Sequence, residues 1–423
     1  MTVSEDFFAR AGRVMPGGEN SSQWCVAGMG CEPVFMESGL SSRLISVDAS
    51  EYIDYVMGFG TLLFGHAHPR IVAAITSAVG KGCSLGAPCV QGIEAAERIC
   101  RLIPSVDMVR MFNSGSEAAA SALRLARACA NRDKIIKFAG GYHGFSDAFM
   151  VESCMTGPSN RTVPGSLGVP HESTSHTLLA QYNDVSNVEA ILRRNHEEIA
   201  AIIVEPVASG MGVVPPAEGF LEALRRLCDA YSILLIFDET VTGFRVSPGG
   251  AQTYYGVRPD LTILGKALGA GLPFGAYGGK AELMCELSPL GNIYQGDFMA
   301  GNPVSMAAAL AVLKLIEQAD YEALDQYTER LSAGLEAALR EAGCPITINR
   351  VGSMFTLFFT DQPVRDLASV EKADSLRYAK FYKLMRQSGF HFPPSNRTCA
   401  ATSFSHRQED IERTLEAAAG LVF

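Results

Sequence analysis

Between residues 109 and 277, short uninterrupted apolar runs alternate with amphipathic stretches, and nothing else in the sequence constrains the fold as tightly. The runs cover residues 109–112, 134–138, 201–204, 232–237, 261–264 and 274–277. A strand that is apolar on both sides needs cover on both sides, the situation in a parallel sheet flanked by helices. Helical periodicity lies between the runs at 116–130 and 220–230, and a further helix is expected to close at 197–200. Strand–helix alternation of this kind predicts an α/β domain over residues 56–290, with a mostly parallel sheet sandwiched by helices.

The flanks read differently. Residues 1–45 are glycine-rich after one short helix, 42–55 carry short strands, and helices are expected at 69–79 and 92–102. After Pro303 come helices at 304–318, 321–342, 373–388 and 409–419, with one strand at 354–359. This predicts a smaller α+β domain over 291–423, joined by an N-terminal segment, 1–55. The hydrophobic fraction of 48% against 19% charged residues suffices for a large core and argues against disorder.

A net charge of −10 gives no general attraction to phosphate backbones or anionic lipid, so neither nucleic acid nor membrane is an expected partner. No apolar run reaches the roughly 20 residues of a membrane span. The start of the chain lacks the order of a secretion signal, so a cytoplasmic location is expected. Eleven scattered cysteines without a C-x-x-C pair suggest buried thiols rather than disulfides, and no metal site is expected.

In an open parallel sheet, ligands bind beyond the carboxyl ends of the strands. Five predicted strand ends here deliver polar residues: Asn113-Ser114-Gly115-Ser116, Gly141-Tyr142-His143, Glu205, Asp238-Glu239 and Gly265-Lys266. Ser114-Gly115-Ser116 opens a helix, where free amides and the helix dipole suit phosphate; Ser114-x-x-Glu117 is equally an ordinary capping box. Asp238 ends a buried strand and needs a partner, either a core arginine or a protonated ring nitrogen. Lys266, in apolar surroundings, would be a competent amine nucleophile; otherwise it is a surface lysine. Tyr142 can stack on a planar ring or fill the core. His66 and His143 read more readily as structural. One small molecule calls for a phosphate site, a carboxylate for a ring nitrogen, an aromatic face and a lysine amine together, namely pyridoxal 5′-phosphate.

The chain resembles the class III aminotransferases of the fold-type I pyridoxal-phosphate enzymes, and within them the glutamate-1-semialdehyde 2,1-aminomutase group. The resemblance runs from Met15-Pro16-Gly17-Gly18 through Gly65-His66-Ala67-His68-Pro69, Phe112-Asn113-Ser114-Gly115-Ser116 and Phe237-Asp238-Glu239-Thr240 to Leu264-Gly265-Lys266 and Gly301-Asn302-Pro303. It implies that Lys266 carries the cofactor and shuttles protons, and that Asp238 holds the pyridinium nitrogen. Ser114, Gly115 and Ser116 would bind the phosphate, Tyr142 and Thr240 the two ring faces, and Glu205 the phenolic side. It also implies a homodimer whose subunits share their active sites, acting on an amino donor and a carbonyl acceptor.

Four positions depart from the aminomutase pattern. Trp24 stands where that group carries a substrate-binding arginine, Gly210 where it carries an asparagine, Phe298 where a threonine reaches the partner's phosphate, and Thr398, beside Arg397, where it carries a glutamate. A tryptophan in place of a charged clamp suggests a larger, ring-shaped substrate bound by Trp24, Arg397 and Thr398. The expectation is therefore an aminotransferase acting on an oxidised amino sugar or cyclitol of an antibiotic pathway. An aminomutase or another isomerase or epimerase is the alternative; a non-catalytic cofactor-binding regulator lacks the basic charge for a DNA-binding role.

Overall fold

The computed structural model describes residues 2–153 and 162–423. Its largest sheet has the spatial strand order Met108–Phe112, Gly275–Gly279, Leu261–Gly265, Leu234–Glu239, Ile199–Val204, Lys134–Phe138 and Thr177–Ala180. Neighbours from Leu261–Gly265 outward to Thr177–Ala180 pair in parallel, whereas Gly275–Gly279 runs antiparallel to both of its neighbours. The sheet is thus mostly parallel and covered by helices, as its continuous apolar strands require. Ile199–Val204 and Leu261–Gly265 are buried at every position.

The antiparallel strand depends on small residues. A Cβ on Gly275 would lie 2.0 Å from the Ser114 carbonyl oxygen, and one on Gly278 would lie 2.5 Å from Val106 Cγ1. Register then aligns the strand ends. Phe237 pairs with Val204, Asp238 with Ile263 and Glu239 with Leu264, so Glu205, Asp238 and Lys266 emerge along one edge.

Several expectations are corrected in detail. The helix expected to close at 197–200 is Val185–Asn195, followed by a single 3-10 turn, and the strand already begins at Ile199. The strand Thr177–Ala180 was not foreseen; four residues are too few to display a period. The strand expected at 274–277 is Gly275–Gly279. The helix expected at 92–102 starts two residues earlier, at Val90. Helix Pro303–Ile316, read from sequence as part of the 291–423 unit, packs on Pro69–Val79 and Val90–Leu102 and shares a core with Leu264 and Leu268 of the large sheet's layer.

The chain's two ends meet in smaller sheets. Met36–Leu40, Arg43–Ser46 and Glu51–Asp54 continue into Phe390–His391, with Ile53 paired to Phe390. Thr347–Val351, Met354–Phe358 and Ala400–Ala401 form another sheet, and Tyr55, Phe355, Phe381 and Phe392 lie in the same core. Among the described residues no helix is long and apolar enough to cross a membrane.

Candidate active site

The strand ends open into a cleft of about 620 Å³, walled by Ser114, Gly115, Ser116, Tyr142, Glu205, Asp238, Thr240 and Lys266 on one side and by Arg397, Thr398 and Cys399 on the other. Helix Gly115–Ala130 begins at its floor. Ser114 caps it: the hydroxyl accepts from Glu117 N at 3.2 Å, and Glu117 accepts in return from Ser114 N at 3.1 Å. The capping-box reading of this motif is therefore realised. It leaves the Gly115 and Ser116 amides without an intrahelical acceptor, which is the arrangement that receives an anion.

Asp238 is buried and held at both oxygens. Oδ1 accepts from Thr240 N at 3.1 Å and from Thr240 Oγ1 at 2.6 Å, and Oδ2 lies 2.8 Å from His143 Nδ1. His143, regarded from sequence as a structural residue, is thus the partner that orients this carboxylate. Its Nε2 is buried without a hydrogen-bond partner. Glu205 accepts from Tyr142 N and Ser209 N, each at 2.9 Å, and from the Ser209 hydroxyl at 2.5 Å. Burial pushes its carboxyl above the usual range, against a lowering pull from His143.

Lys266 sits at φ +39°, in the left-handed region, directly after its strand. Its Nζ donates to the Phe59 carbonyl at 2.8 Å. Burial lowers the amine below the ordinary lysine range, so a larger share of it is the neutral nucleophile.

The remaining sequence candidates scatter. Arg397 and Thr398 line the cleft, Arg397 loosely paired with Glu371 at 3.4 Å. Trp24 does not: its neighbours Ser22, Gln23 and Cys25 face the cleft, while Trp24 lines a second, largely apolar cavity of about 640 Å³. The two cavities share Phe59, Thr61 and Pro394 as walls. Phe298 is fully exposed, outside the cleft, and Tyr142 is half exposed at its rim. Gly210 is packed so closely that a Cβ would lie 2.8 Å from the Gly140 carbonyl oxygen and 2.9 Å from Tyr142 Cβ. Sequence reasoning missed the Phe59 carbonyl, Ser209 and Cys399. A backbone oxygen carries no sequence signal, and the other two sit on loops whose course was not predictable.

The pocket fits a phosphorylated pyridine aldehyde at close quarters. A Cβ on Gly115 would lie 2.8 Å from Thr240 Cγ2, and one on Gly144 would lie 2.6 Å from Ser116 Cα. The backbone thus approaches this end of the cleft as only glycine allows. Lys266, its amine lowered by burial, and Asp238, a carboxylate that neighbours hold in one orientation, both line the pocket. Fold and cleft together define a pyridoxal-phosphate enzyme of fold type I.

The chain belongs to the class-III aminotransferase family, whose pattern matches residues 27–417. It is 47% identical over 420 residues to a glutamate-1-semialdehyde 2,1-aminomutase of Nitratidesulfovibrio vulgaris, covering 99% of both chains. Among solved structures it resembles an omega-transaminase from Sphaerobacter thermophilus, with TM-score 0.92 and 31% identity over 99% of this chain and 96% of that one. It also resembles a glutamate-1-semialdehyde aminomutase from Pseudomonas aeruginosa in complex with PMP, with TM-score 0.88 and 27% identity over 98% and 93%. Pyridoxal 5′-phosphate is the cofactor of this chain.

Proposed function

We propose that this enzyme moves an amino group within a small amino-carbonyl acid, as a glutamate-1-semialdehyde 2,1-aminomutase does. The observation that carries the reading is 47% identity maintained over 99% of the chain. It favours this reading over the sugar or cyclitol expected from Trp24 and the three other departures from the aminomutase pattern. The cofactor supplies an aldehyde that takes up the amino group and a ring that draws electrons from the substrate carbon.

The side chains divide the remaining work. Lys266 would hold the cofactor through its amine and, once displaced by substrate, would take up and return the proton at the carbon that bears the amino group. Asp238, fixed by His143 and Thr240, would hold the ring nitrogen in its charged form. The Gly115 and Ser116 amides with the Ser116 hydroxyl would take the phosphate, and Ser114 serves them by capping the helix. Thr240 and Tyr142 would bound the ring faces, and Glu205, its carboxyl raised by burial, would stand on the phenolic side. A second copy of the chain, covering the exposed Phe298 segment, completes the site as a homodimer.

A second reading is supported by Trp24. Where the aminomutase pattern has an arginine, this chain lines an additional cavity with an indole. An aminotransferase working between a separate donor and a larger carbonyl acceptor would use that space, as would an antibiotic-pathway substrate. The two readings separate in one assay. Conversion of glutamate-1-semialdehyde to 5-aminolevulinate without any added donor supports the first. No conversion, with cofactor absorbance bleached by an amino sugar or an amino acid donor, replaces it with the second.

A further inference from the structure

The segment preceding Thr61 is unusual. Met57, Gly58, Phe59 and Gly60 have φ of +48°, +59°, +56° and +87°, four consecutive left-handed residues, two of them not glycine. L-residues avoid this region because Cβ crowds the following carbonyl. Such a turn persists only where its surroundings impose it.

Two groups impose it. At its start, Asp54 accepts from Val56 N at 2.8 Å and from Met57 N at 3.1 Å. At its end, the Gly60 carbonyl accepts from Arg245 Nε at 3.2 Å and from Nη2 at 3.0 Å. Arg245 is fully buried, and Nη1 goes to the Ser353 hydroxyl at 3.1 Å and the Thr402 carbonyl at 3.0 Å. Among the described residues it has no carboxylate partner, so a cation is buried on neutral oxygens alone. A buried charge held this way is costly and calls for a use.

The use lies one residue back. The Phe59 carbonyl, in the middle of the left-handed turn, is the acceptor of the Lys266 amine. Phe59 and Gly60 also wall the cleft. Burial lowers the Lys266 amine first, the carboxylates Glu205 and Asp238 pull it back up, and the Arg245 cation pushes it further down.

We propose that Arg245 is a positioning residue for Lys266: it clamps the turn Met57–Gly60 so that the Phe59 carbonyl holds the amine at the cleft, and it sets its own unpaired charge on the adjoining carbonyl. The proposal rests on the reading of Lys266 as the cofactor-bearing lysine.

Two measurements test it without recourse to turnover. One is competitive acetylation of the cofactor-free protein across pH, with modification of Lys266 read by mass spectrometry. The other is the rate at which added pyridoxal 5′-phosphate becomes trapped on Lys266 by borohydride. Arg245→Gln should raise the pH midpoint of Lys266 acetylation and slow capture at pH 7 about tenfold. Arg245→Lys keeps the charge but not the fork, so its midpoint should stay and capture should slow several-fold. Gly60→Ala strains the turn, its Cβ only in ordinary contact 3.7 Å from Arg245 Nε, and leaves the charge present, so it should likewise slow capture at an unchanged midpoint. A wild-type midpoint in a folded Arg245→Gln protein, or wild-type capture rates in Arg245→Lys or Gly60→Ala, overturns the proposal. If circular dichroism shows Arg245→Gln unfolded, the other two variants decide. Absence of trapped cofactor on Lys266 in the wild type sinks the cofactor reading itself, a distinct result.

Discussion

The two ends of the cleft are built on different principles. At the cofactor end, Asp238, Glu205 and Lys266 leave adjacent strands of one sheet, whose register fixes their spacing, and each is tied to a named partner. At the substrate end, Gln23, Arg397 and Thr398 hang from loops, and Arg397 has only a loose ion pair with a half-exposed Glu371. A surface pair of that kind is worth about 1 kcal/mol or less. On the proposed assignment, the rigid end would fix the chemistry and the loop end would be free to change the substrate without disturbing it.

If that division holds, the largest effect comes from Lys266. Lys266→Ala should abolish borohydride trapping of cofactor on the chain and lower turnover by at least about a thousandfold. Labelled cofactor recovered on a different lysine would contradict the assignment and remove the basis of the comparison. Asp238→Asn comes next. It preserves shape but loses the charge proposed to face the ring nitrogen, so turnover should fall by about a hundredfold or more while cofactor stays bound. Near-normal turnover in that variant would show that the rigid end is not where electron withdrawal is set.

These residues were legible in the sequence for the same reason that they are rigid. A strand is announced by its apolar run, and the polar residue that ends it is found by counting to the run's end: Glu205 after Ile202-Ile203-Val204, Asp238 after Leu235-Ile236-Phe237. The register that brings them together follows from a parallel sheet. Loop residues carry no such rule. Trp24 was placed against the substrate by its position in a motif, yet a three-residue turn aims it into the neighbouring cavity. The turn Met57–Gly60 was invisible, because two of its left-handed residues are not glycine and Arg245, which holds it, lies 185 residues from Gly60 in sequence.

The rigid end should also carry a pH signature. His406 Nε2 bonds to the Asp54 carbonyl at 3.0 Å, and Nδ1 accepts from Ser403 N at 3.0 Å, so the ring supports the residue that caps the left-handed turn. Burial holds His406 down to about 4, against an ordinary value of 6.5. Between these values the unfolded chain binds more protons than the folded one, so stability rises with pH across the window and is lost as pH falls from 6.5 toward 4. The loss amounts to at most about 3 kcal/mol. Denaturant melts of His406→Gln should show a lower plateau at pH 7 but a flatter profile from pH 6.5 to 4. An unchanged slope would move the pH sensitivity elsewhere in the fold.

The smallest effect is expected at the substrate end, and it is the one that distinguishes the two functional readings. Trp24→Arg restores the cation of the aminomutase pattern beside Ser22 and Gln23, which already face the cleft. A charged hydrogen bond to a substrate carboxylate is worth about 1.5–3 kcal/mol, and part of that is spent reordering the loop, so a change of about tenfold remains. If the substrate is a small amino-carbonyl acid, KM for glutamate-1-semialdehyde should fall by about that factor with kcat nearly constant, the pattern of a contact made equally in ground and transition states. If the indole instead recognises a ring, the same substitution should raise KM for that ring substrate and leave the semialdehyde unused. Arg397→Gln, made alongside, asks whether the existing cation already serves the carboxylate: KM should then rise in the single variant and recover when combined with Trp24→Arg. In every one of these variants the absorbance of bound cofactor should match the wild type. A spectral change on replacing Trp24 would mean that the two ends are coupled through the shared wall of Phe59 and Thr61, and that the separation drawn between rigid chemistry and adaptable recognition is wrong for this molecule.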